Sequence, residues 1–73
     1  MKKVIRITNE PNFHKGVKSY VIACKCGTLS EHYCAPFIEK AKDYSKETEE
    51  TTLLELAYIK ESFPKATVEL ITH

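Results

Sequence analysis

Thr48–Thr72, TEETTLLELAYIKESFPKATVELIT, is the stretch whose reading decides the fold. It reads as a helix that runs directly into a strand. Thr48 is placed to cap the helix, because its hydroxyl can accept from a free N–H of the first turn. Glu49 and Glu50 suit the positive end of the helix dipole. Leu53, Leu56, Ala57, Ile59 and Phe63 recur at helical spacing and predict the buried stripe. Pro64 lacks an N–H and ends the helix. From Ala66 to Thr72 the period changes to two. Ala66, Val68 and Leu70 point one way; Thr67, Glu69 and Ile71 point the other. That alternation predicts a strand with one buried face.

Upstream of Thr48, Ser45-Lys46-Glu47-Thr48 breaks the pattern of a preceding helix. Pro36 fits the first turn of that helix, where its missing N–H is no loss. Phe37, Ile38, Ala41 and Tyr44 follow at helical spacing. Val17–Lys25 is the strongest strand, with Val17, Val21 and Ala23 on one face and Tyr20, Ile22 and Cys24 on the other. Apolar residues on both faces suit a central strand. Cys26-Gly27 then reads as a two-residue hairpin turn, glycine supplying the positive φ. Thr28–Cys34 returns, with Cys24 opposite Leu29, Ile22 opposite Glu31 and Tyr20 opposite Tyr33. Lys3–Thr8, with β-branched Val4, Ile5 and Ile7, predicts the first strand. Asn9-Glu10-Pro11-Asn12 is a turn cluster that opens a loop to Gly16.

The elements assemble as β-β-β-α-α-β: a single α+β domain over residues 1–73. The expected sheet is mainly antiparallel and three- to four-stranded, with two helices packed on one face. At 73 residues there is room for one core. A hydrophobic content of 42% with 29% charged residues fits an ordered domain rather than a disordered tail. Met1-Lys2-Lys3 is basic, but a charge at Arg6 interrupts the apolar residues after it, which predicts no signal peptide. No apolar run is long enough to span a bilayer. Three cysteines, an odd number, argue against a secreted disulfide framework and for a cytoplasmic protein with reduced thiols.

Cys24, Cys26, His32 and Cys34 lie close in sequence and are chemically a zinc set. A tight turn at Cys26-Gly27 excludes a shared ion. It puts Cys34 five positions beyond Leu29, the expected partner of Cys24, roughly 17 Å along the strand. The cysteines then pack as small hydrophobes, and neither a metal nor any other cofactor is expected. No phosphate-binding glycine loop, H-E-x-x-H or G-x-S-x-G is present, and no carboxylates pair for acid–base work. These absences predict that the chain is not an enzyme.

Two binding classes follow. If the helices cover the Tyr20/Ile22 face, the opposite face carries Val17, Val21, Ala23, His32 and Cys34. Ile71, with Val4 or Ile7, adds to it. That is more apolar surface than a solvated face leaves open. A protein partner or a second copy would cover it, with Arg6, Lys18, Val21, His32 and Ile71 as the contact residues. The chain is then a regulator or inhibitor of a larger protein, or a homodimer. The alternative is nucleic acid, with or without zinc on the Cys/His cluster. Residues 1–29 carry six cations, Lys2, Lys3, Arg6, Lys15, Lys18 and Lys25, against Glu10 alone, a net +5. Residues 30–63 carry four lysines against eight acids, a net −4. A basic strand region with Tyr20, Tyr33 and Phe13 nearby suits a phosphate backbone. The pI of 7.7 is low for such a module.

Overall fold

The computed structural model describes residues 1–25 and 31–73, with side-chain surroundings for 1–22 and 36–73. Among the described residues four strands, β1 (Lys3–Thr8), β2 (Ser19–Lys25), β3 (Glu31–Ala35) and β4 (Thr67–Thr72), form one antiparallel sheet in the order β3-β2-β1-β4. One α-helix, α1 (Glu49–Ser62), lies between β3 and β4 in the chain. The architecture is α+β.

β1 is the middle of the core because the alternation in VIRI serves both faces. Ile5 and Ile7 are buried with Val21, Tyr44, Ile59 and Val68 under α1. Val4 points to the other face and is buried with Tyr20 and Ala41. The expectation that both helices cover the Tyr20/Ile22 face is therefore corrected. α1 covers the Ile5/Ile7/Val21 face. The segment carrying Ile38 and Ala41 covers the Val4/Tyr20 face instead.

The expected first helix is also corrected. Residues 36–46 form two 3₁₀ turns, Ile38–Lys40 and Tyr44–Lys46, separated by extended backbone at Ala41 and Asp43. Tertiary bonding explains the break. β1 pairs with β2 through Arg6 opposite Tyr20 and Ile7 opposite Ser19. The start of β1 meets this connecting segment: the Lys3 N–H donates to Asp43 Oδ1 at 3.1 Å, and the Lys42 N–H donates to the Val21 carbonyl at 2.9 Å. The chain changes face here, with Ala41 in one cluster and Tyr44 in the other. A continuous α-helix would use the Lys42 N–H internally and could not cross.

Asp43 fixes the crossing. Its carboxylate accepts from Ser45 Oγ at 2.6 Å and from the Ser45 N–H at 3.0 Å. The Ser45 hydroxyl is the main reason that the Asp43 carboxyl is held at about 2, below its ordinary 3.8. Desolvation opposes the shift, while the Ser45 and Lys3 N–H groups and the Lys46 charge assist. A depressed folded-state value stabilises the fold above the ordinary carboxylate range, and that stability is lost as pH falls from about 4 through about 2. In acid titrations followed by circular dichroism, Asp43→Ala is expected to lose less stability across that window than the wild type. An identical loss contradicts the role.

Thr48 caps α1 as its sequence predicts: Thr48 Oγ1 accepts from the Thr51 N–H at 3.1 Å. Thr48→Ala is expected to cost about 1 kcal/mol, seen as a melting temperature lower by roughly 4–8 °C. The buried face of α1 departs from the expected stripe. Thr52, Glu55 and Ile59 are buried, Leu56 and Phe63 partly so, and Leu53, Leu54 and Ala57 are exposed. Glu55 faces inward, where it bonds to two residues of the crossing segment. The Tyr44 hydroxyl donates to Glu55 Oε1 at 3.0 Å, and Lys42 Nζ donates to Oε1 and Oε2 at 3.1 and 3.2 Å.

The register of β2 and β3 is corrected as well. Cys24 lies opposite His32 and Tyr20 opposite Ala35, with an irregularity between Val21 and Ala23. Lys25 pairs with Glu31. The expected turn at Cys26-Gly27 falls outside the described residues.

Candidate functional site

Strand β4 is one edge of the sheet. Which of its backbone groups are free follows from one pair at its end. Lys2 and His73 exchange both hydrogen bonds, N–H to carbonyl, at 3.3 and 2.7 Å. Bonded and non-bonded pairs alternate along an antiparallel ladder. The register then turns Ile71, Glu69 and Thr67 toward β1, and Thr72, Leu70 and Val68 outward. The outer edge thus presents the N–H and carbonyl groups of Val68, Leu70 and Thr72.

Natural edges are shielded by proline, by charges (lysine above all) or by bulges. β4 contains no proline and no lysine. Its one charge, Glu69, is engaged within its own sheet: Arg6 donates to Glu69 Oε2 at 2.7 Å.

Alongside this edge runs one flank of α1. Glu49, Leu53, Leu56 and Lys60 are spaced four, three and four residues apart, so they share that flank. Leu53 is 56% exposed. With Leu70 of β4 it lines a cleft of about 400 Å³, closed by Lys3, Tyr44 and Glu49. Glu49 and Lys60 are exposed. Among the described residues neither has an ion-pair partner within the chain. The site is an open strand edge beside an apolar stripe with opposite charges at its two ends.

No protein-family model, curated protein or solved structure matches the chain.

The residues expected to bind a partner are scattered by this fold. Val21 is fully buried under α1 and offers no contact surface. Ile71 is half-buried on the opposite face, beside Val4 and Tyr20, so the two do not share a patch. Arg6 is occupied by Glu69. Lys18 is exposed just before β2. His32 lies in β3 opposite Cys24, and its side chain is outside the described residues. Leu53 and Lys60 were missed because a hydropathy pattern assigns Leu53 to the core and Lys60 to solvent. The signal that finds them is the spacing Glu49-Leu53-Leu56-Lys60, which reads the same in reverse with the charges exchanged.

The basic N-terminal region is also partly committed. Lys2 Nζ lies 3.4 and 3.5 Å from the carbonyls of Glu39 and Ile38, and Arg6 is paired. Among the described residues no group of three His, Cys, Asp or Glu side chains could hold a metal ion. The observed register shortens the backbone separation of Cys24 and Cys34 to two residues, roughly 7 Å, so the distance that spoke against a shared zinc ion falls away. Among the described residues no helix is long and apolar enough to cross a membrane.

Proposed function

We propose that this chain is a small non-enzymatic binding module that works through protein–protein contacts, as a regulator or inhibitor of a larger protein or as a self-associating domain. The observation that carries the reading is the unshielded edge of β4 beside exposed Leu53. Strand addition at such an edge gives affinity through main-chain hydrogen bonds, and an adjoining apolar pocket gives specificity. The non-enzymatic part rests on the sequence, in which no catalytic motif and no paired carboxylates are found. An odd number of thiols fits work in the cytoplasm.

The competing nucleic-acid reading loses two of its six cations to internal partners, Arg6 to Glu69 and Lys2 to backbone carbonyls. Fluorescence anisotropy with labelled mixed-sequence nucleic acid separates the classes. No salt-sensitive binding is expected between about 50 and 200 mM salt. Binding that weakens steeply over that range would replace the protein-contact reading.

A further inference from the structure

We infer that the partner at the β4 edge is a second copy of this chain, related by a two-fold axis through Leu70. The inference rests on the protein-contact reading and names the partner. A two-fold interface must be self-complementary, each residue i meeting j while j meets i. Three features of the site meet that condition at the same point.

The first is the backbone. With the axis at Leu70, the two β4 strands run antiparallel, Leu70 opposite Leu70 and Val68 opposite Thr72. All three outward-facing residues of each strand then form bonded pairs, in the alternation that an antiparallel ladder requires. An axis at Glu69 or Ile71 would leave one of the three unpaired in each copy, and an axis at Glu69 would also oppose like charges. The sheets join into one of eight strands.

The second is the helix flank. Antiparallel β4 strands carry antiparallel α1 helices on the same face. Leu53 and Leu70 line one cleft, so the axis through Leu70 passes beside the centre of the stripe. Leu53 of each copy then meets Leu56 of the other, and the exposed Leu53 gains apolar cover.

The third is charge. The same alignment sets Glu49 of one copy against Lys60 of the other, twice. On the far face Glu69, already neutralised by Arg6, comes opposite Ile71 rather than another Glu69.

Sedimentation across concentration tests the proposal, against a monomer mass of 8.4 kDa. The wild type is expected to double in mass as concentration rises. Thr72→Pro removes an outward N–H that bonds to nothing among the described residues, so the domain keeps its circular dichroism and stays monomeric where the wild type is dimeric. Lys60→Glu sets like charges together and is expected to weaken association roughly tenfold. Adding Glu49→Lys to it restores most of the loss. These charge variants touch no core residue, which keeps the test valid if the proline variant misfolds. A monomeric wild type at all concentrations overturns the dimer. Association that ignores Thr72→Pro and Lys60→Glu overturns this interface while leaving protein contact standing. The protein-contact reading itself fails separately, on salt-sensitive nucleic-acid binding.

Discussion

Tyr44→Ala is expected to lower the melting temperature by roughly 15–30 °C, the largest effect of any single substitution considered. Tyr44 is 2% exposed and is packed among Ile5, Ile7, Val21, Ile59 and Val68. Truncating a buried aromatic costs about 3–5 kcal/mol through lost burial and the cavity left behind. A chain of this length has a total stability of roughly 4–11 kcal/mol, so the loss takes much of it. Tyr44→Phe separates the ring from the hydroxyl. It keeps the packing and removes one bond to Glu55, so about 1–2 kcal/mol is expected. Thermal unfolding by circular dichroism reads both. Equal losses in the two variants would mean that the hydroxyl, not the ring, holds the crossing segment.

Glu55→Ala is expected to cost about 2–4 kcal/mol, far more than a glutamate on a solvated helix face. Glu55 is 5% exposed, and its removal takes one bond from the Tyr44 hydroxyl, takes both Glu55 oxygens from Lys42 and leaves Lys42 with Glu47 at 3.4 Å. Hydrogen bonds to a charged group are worth more than neutral ones, and Glu55 carries bonds from both residues. Combining Glu55→Ala with Tyr44→Phe is therefore expected to cost less than the sum of the single changes, by about 1 kcal/mol. Strict additivity would contradict the shared bond. The pH dependence follows from Lys42. Burial pulls its ammonium down, but the hydrogen bond and charge of Glu55, with Glu47 behind, outweigh burial and hold it above its ordinary 10.5. A raised folded-state value gives stability that is present below 10.5 and lost as pH rises through the folded value. The gap between wild type and Glu55→Ala narrows above that pH.

These two residues also show where the sequence stops being legible. β1, β4 and α1 can be read from it because each element is specified locally. Alternation marks the strands, Thr48 marks the start of the helix and Pro64 its end. The crossing segment cannot be read that way. Ile38, Ala41 and Tyr44 sit at helical spacing, yet Ile38 and Ala41 serve one face of the sheet and Tyr44 the other. The bonds that fix the segment, Lys3 to Asp43 and Lys42 to Val21, come from strands far away in the chain. A burial pattern built on hydropathy also cannot place Glu55 inside and Leu53 outside, because the bonds that Glu55 accepts from Tyr44 and Lys42 are visible only once the fold is closed. The β2–β3 register slipped for a related reason. Glu31 pairs with Lys25 rather than with Ile22, and an irregularity between Val21 and Ala23 changes the offset by one residue more; nothing in the residue types announces either.

The binding site was legible only in part. The sequence places Val21, His32 and Ile71 on one face, with Arg6 and Lys18 as further contacts, but Val21 and Ile71 lie on opposite faces. The stripe Glu49-Leu53-Leu56-Lys60 was in the sequence throughout. It acquires meaning only from the sheet order that leaves β4 at an edge beside it.

Amide hydrogen exchange of β4, followed residue by residue at low and high protein concentration, tests that edge most directly. Thr67, Glu69 and Ile71 bond to β1, so their amides should exchange slowly at both concentrations. Val68, Leu70 and Thr72 point outward. Their amides should exchange fast when dilute and become protected together as the chain associates. Fast exchange of these three at every concentration, with the inward three still protected, would contradict a β4-paired dimer.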